Sequence, residues 1–206
     1  MQVQVLLSAP NLIPSIETLG FDIGGIFLLQ TQIMLLLAMK LQDFLQCQRK
    51  MNMEIIYTDG NDERFISLCR QLDDYLNILV GGAKQRDQYA AYNTLEDIHD
   101  VVLIVEDDTV AACGSFKDYE SGAAEVKRVF TAEDFRNRGF GRAVMKALEE
   151  RARSKGYKRL VLETGTLLHA AMKMYGDIGF HVIENYGQYA DMSESVCMEK
   201  WLEANK

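Results

Sequence analysis

Proline is almost missing from this chain: Pro10 and Pro14 are the only two among 206 residues. A proline-rich linker or extended arm is therefore excluded, because such segments depend on the ring's fixed φ. Cysteine is sparse and scattered. Cys47, Cys69, Cys113 and Cys197 form no CxxC pair, which argues against a zinc site and for a reducing compartment such as the cytoplasm. Positive charge is in deficit, with 22 Lys and Arg against 30 Asp and Glu and a net charge of −8, so nucleic acid is not an expected partner. No uninterrupted apolar run is long enough to span a bilayer, which needs about 20 residues. The best stretch, Ile23 to Met39, is broken by Gln30, Thr31 and Gln32. The start Met1-Gln2-Val3-Gln4 has no Lys or Arg, unlike a secretory signal. No Ser/His/Asp or Cys/His constellation is visible, and no metal site is expected.

What remains is ordinary for a water-soluble globular protein: 48% hydrophobic and 25% charged residues, in a length sufficient for one domain with a real core. The charge is unevenly placed. Residues 1–50 carry Glu17, Asp22 and Asp43 against Lys40, Arg49 and Lys50, so the whole −8 belongs to residues 51–206. Residues 1–50 read as an atypical apolar extension. Two readings stay open beside a membrane anchor, the less favoured one: a helix added to the domain or to a partner, or a segment not native to the protein. In the latter case translation begins at Met51 or Met53, and a peptide from residues 1–50 in the native protein's mass spectrum would exclude it.

From Met51 onward the pattern is regular. Ile55 to Tyr57 reads as a short strand. Phe65, Leu68, Cys69, Leu72, Leu76, Leu79 and Val80 fall at helical spacing, ended by Gly81-Gly82. Val101–Val105 and Val110–Phe116 read as a strand pair around the turn Glu106 to Thr109, and Lys117 to Gly122 as the next turn. A strand over 123–131 follows. Helices over 139–155 and 168–178 then alternate with strands over 158–164 and 180–184, and 194–201 closes the chain. Antiparallel strands first and strand–helix alternation afterwards predict an α+β fold.

The most informative stretch is Arg136-Asn137-Arg138-Gly139-Phe140-Gly141-Arg142-Ala143, between the strand ending near Thr131 and the helix beginning near Gly139. Open N–H groups at a helix start, glycines that admit the main chain close to a ligand, and nearby arginines together suit phosphate. The dinucleotide fingerprint fails because Val144 occupies its third glycine position, and no Gly-Lys-Ser/Thr exists for a nucleotide-triphosphate loop. Arg136, Gly139 and Gly141 fill Arg/Gln-x-x-Gly-x-Gly/Ala. This pattern resembles the acetyl-CoA signature of the GNAT (Gcn5-related) N-acetyltransferases. Ala124 to Phe130, Arg159 to Thr164, Met174-Tyr175 with Gly179-Phe180, and Ser195 to Lys200 are similar to that family's fourth and fifth strands, its LY…GF segment and its closing strand.

The resemblance implies a GNAT-like mixed, mostly antiparallel sheet flanked by helices. It also implies acetyl transfer to a primary amine of a small molecule or peptide by direct attack on acetyl-CoA, without an acyl-enzyme. Arg136 to Ala143 would hold the pyrophosphate, chiefly through main chain. The backbones of Val129, Phe130, Thr131 and Thr164 would flank pantetheine, with Lys173 or His169 assisting, because Leu168 stands where the family often has asparagine. A backbone N–H within Val129 to Thr131 would face the oxyanion. Glu125 matches a catalytic glutamate that deprotonates the amine, and Tyr175 matches the tyrosine that protonates the thiolate. Tyr75, Gln88, Tyr89, Tyr92, Tyr186 and Tyr189 are the expected acceptor walls, equally readable as tyrosines sealing a core edge. A homodimer is compatible. The alternative is a non-catalytic acyl-CoA-binding or regulatory module of the same fold, which would not need both Glu125 and Tyr175.

Overall fold

The computed structural model describes residues 34–35, 53–82 and 94–202. The chain divides into two compact units, Met1–Lys50 and Met51–Lys206. Of the first, only Met34 and Leu35, both helical, are described. The rest of the expected extension, and Gln88, Tyr89 and Tyr92, lie outside the described residues.

The second unit is built on seven strands in the order β1-β2-β3-β4-β5-β7-β6. These are β1 (Met53–Thr58), β2 (Asp100–Glu106), β3 (Thr109–Glu120), β4 (Ala123–Thr131), β5 (Arg159–Gly165), β6 (His181–Ile183) and β7 (Ser195–Trp201). All neighbours are antiparallel except β4 and β5. Three helices, α1 (Glu63–Leu79), α2 (Phe140–Ser154) and α3 (His169–Asp177), and two 3₁₀ turns complete the described elements. The expected α+β architecture is what forms. No helix among the described residues is long and apolar enough to cross a membrane.

The sheet is covered on both faces, which explains why β2 reads as a continuous apolar run rather than an alternating one. Val102 and Ile104 join Val144, Met145 and Leu148 of α2. Val101 and Leu103 turn the other way, to Phe65, Leu68 and Cys69 of α1. Fully burying each such aliphatic or aromatic side chain contributes about 1.5–3 kcal/mol. Asp62 starts α1, its side chain accepting from the Arg64 N–H at 2.9 Å. The β2–β3 hairpin turns on Asp107 and Asp108, at φ 46° and 63°. Two left-handed residues match the twist of the strands they join, and Asp tolerates that conformation.

One boundary differs from the sequence pattern. β3 runs on through Lys117 to Glu120, where polar residues suggest a turn, and only Ser121 and Gly122 bend the chain. Cross-strand pairing overrides the local signal: Lys117 faces Glu125 and Asp118 faces Ala124. Side-chain partners add to it, with the Tyr157 hydroxyl donating to Asp118 and Arg159 pairing with Glu120.

Candidate functional site

The parallel pair is where the sheet opens. β4 and β5 are paired from Ala123↔Arg159 only as far as Val126↔Leu162. Beyond that point β4 continues to Thr131 and β5 to Gly165 without pairing to each other. The cause lies in β4. Its register against β3 slips between Cys113 and Ser115, and Arg128 adopts φ 56°. A bulge of this kind bends the strand that carries it. It is held from two sides: the Arg128 guanidinium meets Asp73 of α1 at 2.7 Å, and the Cys113 thiol donates to the Arg128 carbonyl at 3.3 Å. The wedge between the strands widens into a cleft of about 700 Å³, walled also by the end of α1, the start of α2 and α3.

One end of the cleft is the arginine–glycine turn. Gly139 precedes α2 with φ 86° and no side chain caps the helix. The first ladder bond runs from the Ala143 N–H to the Gly139 carbonyl at 3.1 Å, so the preceding N–H groups lie ahead of the ladder at the positive end of the helix dipole. A Cβ built on Gly139 would meet nothing within 4 Å, so this glycine answers a conformational need and leaves open space beside the main chain. Gly141 has a second reason to be small, since a Cβ there would stand 3.0 Å from the Met174 sulfur of α3.

The basic side chains divide. Arg136 stacks over the Tyr75 ring at 4.5 Å and donates to the Thr131 carbonyl at 3.3 Å. Arg142 and Lys173 both reach Asp177, at 2.7 and 2.9 Å, and hold its carboxyl below the usual range, Lys173 most strongly. The Arg138 side chain instead meets Glu106 at 2.5 Å and lies over the Phe135 and Phe140 rings. Of the turn residues, Arg138 and Ala143 are not among those lining the cleft, whereas Arg136, Asn137, Gly139, Phe140, Gly141 and Arg142 are.

Val129, Phe130, Thr131 and Thr164 line the middle, where the strands diverge. Tyr175 lines it from α3 and is only 7% exposed. Burial, and then the charge of Glu163, push its phenol well above its ordinary pKa. The hydroxyl therefore keeps its proton at neutral pH and can act as a donor but not as an anion. His169 opens α3 on the exposed side of the cleft.

Glu125 is placed differently from Tyr175. It is 2% exposed and is not among the cleft's lining residues. Its Oε1 accepts from the Tyr186 hydroxyl at 3.3 Å and lies 3.7 Å from Lys127 Nζ, which itself donates to the Tyr189 hydroxyl at 2.7 Å. Tyr186 packs on Tyr189 and on Tyr119, with centroids 5.6 and 4.8 Å apart. Burial and the Glu125 charge raise both phenols, Tyr186 and Tyr189. Burial lowers Lys127, opposed by the Glu125 and Glu163 charges. Tyr186 and Tyr189 thus join a buried ionic cluster and are not among the residues lining the cleft, whereas Tyr75 lines it at the arginine–glycine turn.

Two residues of this region carry no expectation from the sequence. Lys127 lines the cleft from the bulged strand. Glu163 lines it from β5, one residue past the last β4–β5 pair, and accepts from the Ser195 hydroxyl at 2.7 Å. A carboxylate following the apolar run Leu160-Val161-Leu162 at the end of a parallel strand was the available signal, because ligands of open α/β sheets gather at strand carboxyl ends.

Comparison with known proteins is consistent with this geometry. Residues 67–180 match the family model of the acetyltransferase (GNAT) family. The chain is 30% identical over 157 residues to the IAA acetyltransferase of Azospirillum brasilense, covering 72% of this chain and 97% of that protein. It is 33% identical over 99 residues to the uncharacterized N-acetyltransferase YsnE of Bacillus subtilis, covering 47% of this chain and 66% of YsnE, just under two thirds of that relative's length. Among solved structures, PaiA N-acetyltransferase from Thermoplasma acidophilum in complex with coenzyme A shares the fold, at TM-score 0.57 and 18% identity over 73% of this chain and 99% of that one.

Proposed function

Because this chain belongs to the GNAT acetyltransferase family, we propose that it moves an acetyl group from acetyl-CoA to a primary amine of a small molecule or peptide, by direct attack. The observation that carries this reading is the continuity of one cleft, from the open N–H groups at Gly139 to the protonated phenol of Tyr175. Acetyl-CoA, when bound, supplies a thioester-activated acetyl group. The turn at Arg136 to Arg142, with Lys173, would hold its phosphates. The stretch of β4 from Lys127 to Thr131, parted from β5 and opposite Glu163 to Gly165, would flank its extended arm.

Tyr175 is the proton source for the departing thiolate, whose ordinary pKa of about 8.5 leaves it in need of a proton at neutral pH. A backbone N–H in the Val129 to Thr131 segment faces the oxyanion. An alkylamine of ordinary pKa about 10.4 must lose a proton before it attacks, so carboxylates belong on the acceptor side. Glu125 forms a buried cluster with Lys127, Tyr186 and Tyr189, and of these four Lys127 alone lines the cleft. Cys113 is 0% exposed in the α1-side core, so packing accounts for it and no acyl-enzyme is proposed. Cys69, Cys113 and Cys197 are free thiols, which suits the cytoplasm. Thiol release from acetyl-CoA across a panel of primary amines tests the reading. Amine-dependent release supports it; binding of acetyl-CoA with no release for any amine would favour a non-catalytic acyl-CoA module.

A further inference from the structure

We propose that Glu163, rather than Glu125, is the carboxylate that takes the proton from the acceptor amine, with Ser195 as its positioning residue. This inference rests on the acetyl-transfer reading above. Glu125 is 2% exposed and already engaged by Lys127 and Tyr186, and it does not line the cleft. An amine would have to displace an ion pair in the interior to reach it. Glu163 lines the cleft and is half-buried, at the first position where β5 has parted from β4.

Its surroundings place it between the two halves of the site. Its charge acts on Tyr175 of α3, on Lys127 of β4, on Tyr189 of the turn before β7, and on Cys197 of β7. Tyr175 and Lys127 line the same cleft as Glu163, from α3 and from the bulged part of β4. The Glu163 carboxylate therefore opens onto the space shared by the phenol that would protonate the thiolate and the strand beside which the acceptor would lie. Ser195 fixes its orientation from the neighbouring strand, donating to Oε1 at 2.7 Å. That bond spans the β5–β7 pairing, in which Glu163 faces Cys197 and Gly165 faces Ser195.

The step balances. The ammonium gives one proton to the Glu163 carboxylate, and the amine forms the new C–N bond as the C–S bond breaks. The thiolate takes the Tyr175 proton, and the second proton from nitrogen restores the phenol. The net products are acetamide, free thiol and one released proton.

The test compares Glu163→Gln with Glu125→Gln, both near-isosteric. Glu163→Gln is expected to keep acetyl-CoA affinity within about threefold by calorimetry and to lose about 10²–10⁴ in kcat, the usual range for a general base. It should also lose the acidic limb of the kcat/KM profile. Glu163→Asp should restore part of the rate together with that limb. Ser195→Ala should lower kcat with the limb retained but shifted. Glu125→Gln retaining the wild-type acidic limb completes the expected result. The proposal is overturned if Glu163→Gln keeps the limb and the rate, or if Glu125→Gln alone abolishes both. Wild-type enzyme that releases no thiol with any amine would sink the transfer reading itself and this assignment with it.

Discussion

Replacing Tyr175 with phenylalanine removes one hydroxyl and keeps the ring that packs 5.9 Å from Phe180. The volume change is small, so the fold should lose less than about 1 kcal/mol. The rate should suffer far more at neutral pH. A thiol of pKa about 8.5 leaves as an unprotonated thiolate at pH 7 at a cost of about 2 kcal/mol, from 1.36 kcal/mol per pH unit. A positioned acid that removes this cost and shares the proton in the transition state contributes about 10²–10⁴ in rate. Because burial and Glu163 hold the Tyr175 phenol well above its ordinary pKa, the donor stays loaded across the whole assay range. The expected result is a fall in kcat of about 10²-fold or more at pH 7 that narrows above pH about 8.5, where the thiolate leaves unaided. Acetyl-CoA affinity should be unchanged by calorimetry. Stopped-flow thiol detection from pH 6 to 9.5 reads it directly. A variant that matches wild type at every pH would refute the acid role.

Two further substitutions probe the donor turn and the first helix. Gly139→Ala should raise the acetyl-CoA Kd about tenfold by calorimetry, because an alanine is expected to relax away from φ 86° in the free protein and returning it to that conformation for the ligand costs about 1–2 kcal/mol, with no steric clash to interfere; an unchanged Kd would mean that the ligand does not read this turn. Asp62→Ala should cost about 1 kcal/mol at pH 7 in chemical denaturation through loss of the α1 cap. The Arg64 side chain, first among several donors, lowers the Asp62 carboxyl from 3.8 to about 2. Its contribution is therefore complete above pH about 4 and fades as pH falls toward 2, so wild type and variant should converge over that window.

The arginine–glycine turn was legible because its geometry is local. Arg136, Gly139 and Gly141 are neighbours in sequence, and a turn followed by a helix needs no distant partner to present its N–H groups. The helices and most strands were legible for the same reason, through periodicity and glycine stops. The surroundings of Glu163 and Glu125 depend on long-range geometry. Glu163 and Ser195 meet only because β5 pairs with β7, and Lys127 reaches Tyr189 across 62 positions of sequence. Glu125 is buried against partners such as Tyr186, 61 positions further on, which alternation along β4 does not reveal. The second half of β3 was hidden because Lys117, Asp118 and Glu120 are satisfied by partners on β4 and β5 rather than by their own pattern.

The central claim is that the wedge between β4 and β5 is an acetyl-CoA site, and thermal unfolding with and without acetyl-CoA tests it most directly. At a hundredfold excess over Kd a ligand that binds only the folded state stabilises by about 2.7 kcal/mol. For a unit spanning Met51–Lys206 that corresponds to a rise in Tm of about 5–10 °C. A rise of that size, lessened in Gly139→Ala, is the predicted result; an unchanged Tm at millimolar acetyl-CoA would contradict the account.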